Sequence, residues 1–144
     1  MPLPDRFEDL EQLEDVMSQP SAALMQTLQK VDGDILVLGV GGKMGPTLAR
    51  MAKRATPRRR VIGVARFSQP GLRERLESQG IDCIEADLLS REALAALPDA
   101  PNVVFMAGRK FGSSGSGWLT WAMDGHVPAL VAERFGRSRI VAFS

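Results

Sequence analysis

A glycine-rich turn placed directly after a short apolar run constrains the fold of this chain more than any other feature. Gly39, Gly42 and Gly45 recur at intervals of three residues, after the apolar run 35–38 and beside a helical pattern at 46–54. A continuous apolar run of this length is typical of a strand that is buried on both faces. Side chains obstruct a sharp strand-to-helix turn, and the free N–H groups at a helix start attract anions. The arrangement therefore predicts a phosphate-binding turn.

Strands alternate with helices along most of the chain, and this alternation predicts an α/β fold. A length of 144 residues is that of one ordinary domain. We expect a Rossmann-type doubly wound parallel sheet of about five strands in the order 3-2-1-4-5. The predicted strands cover 35–38, 61–65, 81–86, 103–107 and 139–143, and the helices between them cover 46–54, 70–79, 91–97 and 118–135.

The first 33 residues predict a helical N-terminal extension. Apolar residues at helical spacing indicate one helix at 7–17 and a second from 21 to near Gly33. The chain is thus predicted to consist of an extension, 1–33, that packs against the main domain, and a Rossmann domain, 34–144.

The glycine spacing separates three kinds of phosphate-binding turn. The dehydrogenase fingerprint Gly-x-Gly-x-x-Gly, begun at Gly39 and Gly41, would need a glycine where Met44 stands. A nucleoside-triphosphate loop would need a glycine at Val37 and a serine or threonine at Met44. Gly-x-x-Gly-x-x-Gly fits at every position. With a second strand about twenty residues further on, it predicts a site for an NAD(P)-type dinucleotide.

Arg66 follows the second predicted strand, at the point where the residue type selects the cofactor. An acid there would bind the adenosine ribose hydroxyls and repel a 2′-phosphate, whereas a guanidinium binds a phosphate by paired hydrogen bonds. Arg66 therefore favours NADP over NAD, and the alternative is that it lies over the adenine ring. It also disfavours an S-adenosylmethionine-dependent methyltransferase, which would place an acid at this position.

These segments together resemble the extended short-chain dehydrogenase/reductases, the NAD-dependent epimerase/dehydratase family. The resemblance covers about 34–144 and rests first on the glycine turn, then on the segments 85–88, 104–108 and 139–144. In that family the segment that corresponds to 85–88 supplies an acid and an apolar residue that contact adenine, and the segment that corresponds to 104–108 lines the cofactor. The turn and the resemblance together indicate these cofactor-binding residues: Gly39, Gly42, Lys43, Met44, Gly45, Arg66, Asp87, Leu88, Ala107 and Gly108.

Two departures from the family concern its catalytic groups. The family often has an asparagine in the helix after the fourth strand, where Asp124 stands here, and its catalytic Tyr-x-x-x-Lys pair has no counterpart because the sequence contains no tyrosine. Ser144 matches the strand end that leads into the family's active-site serine segment. We therefore predict no catalytic residue in the chain, and expect it to be the cofactor-binding front part of a longer protein.

The resemblance implies hydride transfer with a nicotinamide cofactor. The leading hypothesis is the NAD(P)-binding portion of an epimerase, dehydratase or reductase that acts on a nucleotide sugar or a similar carbonyl compound. The alternative is a non-catalytic NAD(P)-binding sensor, in which the lack of a tyrosine is genuine.

Charge and composition give no reason to expect other partners. A net charge of +1 does not favour nucleic acid, and no apolar run reaches the roughly 18–20 residues that span a bilayer, so we expect a cytoplasmic protein. Cys83 and His126 are each the single residue of their type, and we expect no metal site.

The region after the fourth strand carries two further expectations. Trp118 and Trp121 lie three residues apart in the predicted helix 118–135, so one helix face should pack on the sheet or on a second subunit in a homodimer. Lys110 and Ser113, in a loop rich in glycine and serine, are possible contacts to nicotinamide or substrate.

Overall fold

Five short strands of the described residues form one parallel sheet. The computed structural model describes residues 3–109 and 115–143. The strands are β1 (Ile35–Leu38), β2 (Val61–Ala65), β3 (Asp82–Glu85), β4 (Asn102–Phe105) and β5 (Arg139–Ala142). Their spatial order is β3-β2-β1-β4-β5, and all four pairings are parallel. The predicted fold class and strand order are therefore confirmed.

The central strand is buried on both faces, as its continuous apolar sequence predicts. Ile35 pairs with Val61 on one side and with Asn102 on the other. All four residues of β1 are buried. Successive side chains alternate between the two faces of the sheet, so β1 contributes to two separate core layers.

Each face of the sheet is covered by its own helices. The structure contains α1 (Leu10–Met17), α2 (Ala22–Gln29), α3 (Gly45–Ala55), α4 (Leu72–Ser78), α5 (Arg91–Ala95), α6 (Gly117–Trp121) and α7 (Val127–Arg134). Ile35 and Val37 pack in a core cluster with residues of α3 and α4. Leu36 and Leu38 pack in the opposite cluster with residues of α5 and α7. Apolar side chains therefore cover both faces of the sheet at its central strands.

Several helix ends differ from the sequence-based expectation. Helix α1 begins at Leu10 and not at position 7, because the Asp9 carboxylate accepts a hydrogen bond from the Gln12 N–H at 2.7 Å and caps the first turn. Helix α2 ends at Gln29, short of Gly33. Strand β3 is one residue shorter at each end than the predicted strand 81–86. Strand β4 begins one residue before the predicted strand 103–107 and ends two residues before its end.

The long helix predicted at 118–135 is interrupted by a π-helical segment, Ala122–His126. The Val127 N–H donates to the Ala122 carbonyl, five residues back, and Pro128 has no N–H to continue the normal ladder. The spacing of apolar residues predicts a helix here but does not reveal the π-helical turn, because the number of residues per turn departs from that of an α-helix over only five residues.

The two tryptophans of α6 do not pack on the sheet. The exposed fraction is 70% for Trp118 and 80% for Trp121. Of the two predicted packings, on the sheet or on a second subunit, the structure contradicts the first, because α7 supplies the cover of the sheet through Val127, Leu130 and Val131.

The N-terminal extension lies across the outer surface of α3 and α4. The Asp15 carboxylate accepts hydrogen bonds from Arg50 at 2.8 Å and from Arg54 at 3.1 Å. Glu14 pairs with Arg75 of α4 at 3.3 Å. Helix α1 thus bridges two neighbouring helices through charged side chains, while none of its own residues is fully buried.

Among residues 3–109 and 115–143, no helix is both long and apolar enough to cross a membrane.

We expect the Asp15→Ala substitution to loosen the extension without unfolding the sheet. It removes the shared acceptor of two arginines, a loss of about 1 kcal/mol for partly exposed pairs. Hydrogen exchange should report faster exchange of α1 amides, with the strands unchanged. Asp5→Ala, which alters an exposed carboxylate nearby, is the control. Unchanged protection of α1 in Asp15→Ala would show that these ion pairs do not hold it.

Burial should make the Cys83 thiol unreactive near neutral pH. Removal from water, with a smaller contribution from Glu77, raises the pKa of Cys83 to about 11. The rate of alkylation by iodoacetamide should therefore stay low at pH 8 and rise as the pH approaches 11. The chain in denaturant is the control, with an ordinary thiol pKa of about 8.5. A folded chain that titrates like the denatured one would contradict the assignment.

Candidate functional site

The glycine turn lies at the carboxyl end of β1, between the ends of its two neighbours. The N–H groups of Gly39 and Val40 both donate to the Val64 carbonyl of β2, at 2.9 and 3.1 Å. The Gly42 N–H donates back to the Gly39 carbonyl at 3.3 Å. These bonds fold the turn against β2 and deliver the chain to the start of α3.

Two of the three glycines are required by the packing of the protein itself. Gly39 has a φ of +86°, and a Cβ there would lie 2.5 Å from the Ala107 backbone nitrogen. A Cβ on Gly45 would collide with the Val40 carbonyl. Both positions therefore exclude side chains because another stretch of backbone approaches closely.

Gly42 has a different environment. A Cβ there would lie 3.6 Å from the Gly39 carbonyl oxygen, which is ordinary contact, and the residue is exposed. The fold does not demand a glycine at this position. Its lack of a side chain instead leaves the backbone open toward the adjoining cavity.

A cavity of about 420 Å³ adjoins the turn at the carboxyl ends of the strands. This is the size range of cofactor clefts, and the carboxyl edge is where ligands bind in open α/β sheets. The predicted residues that line the cavity are Gly39, Gly42, Arg66, Asp87, Leu88, Ala107 and Gly108.

The three other predicted residues do not line it. Lys43 and Met44 are exposed at the tip of the turn, with a Met44 exposed fraction of 60%. Gly45 is buried beneath the turn as the first residue of α3. The sequence pattern places all three in the turn but does not show the direction in which each residue faces.

Several lining residues are not among the ten named as cofactor-binding from the sequence. They are Gly41, Val64, Ala65, Phe67, Ser68, Gln69, Leu72, Ala86, Leu89, Met106, Arg109, Leu119 and Met123. The residues 67–69 directly follow Arg66, so their position after β2 was an available signal. Leu119 and Met123 come from the helix after β4, and only its three-dimensional course brings them to the cavity.

Arg66 is exposed at the end of β2 and lines the cavity. Within the described part of the chain it forms no ion pair. After the neighbouring strand β3, the Asp87 carboxylate accepts the Leu89 N–H at 3.0 Å, which fixes the turn there. The cavity wall at this end thus combines an exposed guanidinium with apolar side chains.

Asp124 connects the π-helical segment to the loop after β4. Its Oδ1 accepts the Arg109 N–H at 3.2 Å and lies 3.6 Å from the place where a Cβ on Gly108 would stand. The Arg109 guanidinium in turn donates to the Ser116 carbonyl at 3.2 Å. The carboxylate therefore fixes the loop after β4, of which Gly108 and Arg109 line the cavity. Lys110, Ser113 and Ser144 lie outside the described residues, and His126 is exposed.

A family model supports the likeness seen in the sequence. The model of the NAD dependent epimerase/dehydratase family matches residues 35–123, which include the glycine turn and the lining residues up to Met123. None of the curated proteins compared matches the chain in sequence.

Solved structures show the same fold. A short-chain type dehydrogenase/reductase from Mycobacterium ulcerans has 20% identity and a TM-score of 0.61, over 77% of this chain and 50% of that chain. A metagenomic short-chain oxidoreductase in complex with NADP has 22% identity and a TM-score of 0.58, over 77% and 61%. L-threonine dehydrogenase from Clostridium difficile has 15% identity and a TM-score of 0.62, over 76% and 35%. The chain spans about half the length of the first of these structures.

The three glycines should differ sharply in their contribution to stability. We expect Gly39→Ala and Gly45→Ala each to lower the free energy of unfolding by at least about 2 kcal/mol, because each adds a collision with backbone. Gly42→Ala should change it by no more than about 0.5 kcal/mol. Urea denaturation followed by circular dichroism measures all three. Equal losses at the three positions would contradict this division.

Proposed function

The chain belongs to the NAD dependent epimerase/dehydratase family, and we propose that it forms the NADP-binding portion of an enzyme that transfers hydride to or from a carbonyl carbon. The single observation that carries the proposal is the cavity that adjoins an open glycine turn and an exposed arginine at the carboxyl edge of the sheet. Nicotinamide supplies the hydride chemistry when the cofactor is bound.

In this proposal the pyrophosphate lies over the glycine turn. Gly42 presents bare backbone to the cavity, and α3 begins three residues later with its unpaired N–H groups and the positive end of its dipole. The N–H groups of Gly39, Val40 and Gly42 already bond to carbonyls, and Pro46 has no N–H. The donors are therefore the other N–H groups of the turn and those of the residues that flank the proline.

The adenosine half lies between the ends of β2 and β3. The carbonyl of Ala65 accepts the Ala86 N–H at 3.0 Å, which keeps the two strand ends together beneath this part of the cavity. Leu88 is buried and provides an apolar surface, while Arg66 offers a charged group at the rim. A guanidinium at the rim suits the 2′-phosphate of NADP, because it pairs with phosphate oxygens through two parallel hydrogen bonds.

The nicotinamide half lies beside the loop that follows β4. Ala107 and Gly108 line this end of the cavity, as do Leu119 and Met123 of the helical region after β4. The small residues leave room for a flat ring, and the apolar side chains exclude water from it. Asp124 holds the loop in place through the Arg109 N–H and is assigned no proton-transfer role.

The acid/base groups of the reaction lie, in this proposal, outside these 144 residues, because the sequence contains no tyrosine. The substrate class is a nucleotide sugar or a similar carbonyl compound. We also propose a homodimer through the helical region 118–135, since Trp118 and Trp121 present large exposed aromatic surfaces on one short helix.

The lack of a tyrosine also supports a second candidate, a non-catalytic sensor that binds the dinucleotide and reports its redox state to a partner. The encoded reading frame separates the two candidates. Continuation past Ser144 into a Tyr-x-x-x-Lys segment favours the enzyme, and a stop codon there favours the sensor.

Arg66→Ala tests the cofactor assignment directly. We expect calorimetry to show tighter binding of NADP than of NAD to the parent chain. The substitution should weaken NADP binding by about tenfold to a hundredfold, the value of paired charged hydrogen bonds, and leave NAD nearly unchanged.

Arg58→Ala is the matched control, because Arg58 is an exposed arginine at the amino end of β2, on the edge of the sheet away from the cavity. An NADP preference that survives in Arg66→Ala would refute the phosphate assignment. Failure of the folded parent to bind either dinucleotide would refute the proposed function as a whole.

A further inference from the structure

Phe67, the residue directly after Arg66, has an unusual backbone conformation. Its φ is +50°, and it is the one non-glycine residue among residues 3–109 and 115–143 with a positive φ. Bulky side chains rarely adopt this left-handed region, because Cβ then crowds the following carbonyl group. A glycine would adopt the same conformation without that cost. The surrounding structure must therefore hold Phe67 in place.

The ring of Phe67 is anchored on two sides. It packs against the core cluster formed with α3 and α4. The guanidinium of Arg73, from the first turn of α4, lies over it with Cζ 5.8 Å from the ring centroid. Arg73 is itself fixed, since it donates to Glu77 at 3.0 Å and to the Cys83 carbonyl at 3.4 Å. The anchor thus connects the turn after β2 to both α4 and β3.

The left-handed turn changes which side chains reach the cavity. In an extended strand, Arg66 and the next residue would point to opposite faces of the sheet. Here Arg66, Phe67 and Ser68 all line the cavity. The turn then leads into α4, where the Leu72 N–H donates to the Gln69 carbonyl at 3.4 Å. The conformation at Phe67 therefore turns the following residues back toward α4, and the anchored ring fixes the backbone that directly follows Arg66.

We propose that Phe67 is a positioning residue for cofactor selection: its anchored ring fixes the backbone next to Arg66 and so keeps Arg66 at the rim of the cavity, where it would pair with the 2′-phosphate of the adenosine ribose. Phe67 acts through Arg66 and does not bind the phosphate itself. The inference rests on the proposed role of Arg66.

The experiment compares two probes that differ at the ribose 2′ position, adenosine 2′,5′-bisphosphate and 5′-AMP. Calorimetry gives the ratio of their dissociation constants for the parent and for each variant. We expect Phe67→Ala to reduce the preference for the 2′-phosphate about tenfold, because an unanchored residue abandons the left-handed conformation. Phe67→Tyr, which keeps an aromatic ring under Arg73, should retain the preference.

A second variant leaves the core untouched. Arg73→Met removes the guanidinium from the ring while keeping a long side chain on the partly exposed face of α4, and should reduce the preference about threefold. In an Arg66→Ala background, neither substitution should reduce the preference further, since both act through Arg66. Phe7→Ala, an exposed phenylalanine of the extension, is the control.

Each outcome of these measurements has a distinct meaning. If Arg66→Ala abolishes the preference but a folded Phe67→Ala or Arg73→Met keeps it, Phe67 is not a positioning residue and the role of Arg66 stands. Phe67 likewise loses its positioning role if Phe67→Ala weakens the binding of both probes equally. If Phe67→Ala does not fold, as judged by circular dichroism, Arg73→Met decides. A parent that binds both probes equally overturns the role of Arg66 and this inference together.

Discussion

The rest of the architecture depends on two close contacts between backbone segments, that of Gly39 with Ala107 and that of Gly45 with the Val40 carbonyl. The turn can follow β1 only because Gly39 has no side chain, since the Ala107 backbone nitrogen lies 2.5 Å from the place where its Cβ would stand. Helix α3 can begin where it does only because Gly45 likewise has no Cβ to collide with the Val40 carbonyl. These two contacts bring the ends of β1 and β4 and the start of α3 to one place. The cavity lies there because three elements meet without intervening side chains.

The central part of this arrangement could be predicted from the sequence for physical reasons. Strands β1 and β2 were placed at their observed limits, because strands buried on both faces are continuous apolar runs with sharp ends. The order of the strands follows from right-handed crossovers, which leave few alternatives. The glycine spacing locates the turn because each required glycine reflects a local steric constraint.

The rest depends on contacts between residues far apart in the sequence. Leu119 and Met123 reach the cavity only when the helical region after β4 folds back over the sheet, and no local pattern encodes that direction. The π-helical turn and the exposure of Trp118 and Trp121 are of the same kind. For Lys43 and Met44 the sequence predicts the turn in which they lie but not the direction of their side chains, which are exposed and do not line the cavity. The left-handed Phe67 was not predicted either, because sequence alone does not indicate an anchored ring.

The bridge formed by α1 has a consequence for the shape of the cavity mouth. Helix α3 begins at the end of the glycine turn and α4 begins at Leu72, which lines the cavity, so a separation of these helices would move the turn away from Leu72. Asp15 and Glu14 attach a single rigid helix to both of them at points away from the cavity. A widening of the mouth by separation of α3 and α4 would have to break ion pairs on the outer surface. A segment that contributes no residue to the cavity lining thereby opposes a separation of the glycine turn from Leu72.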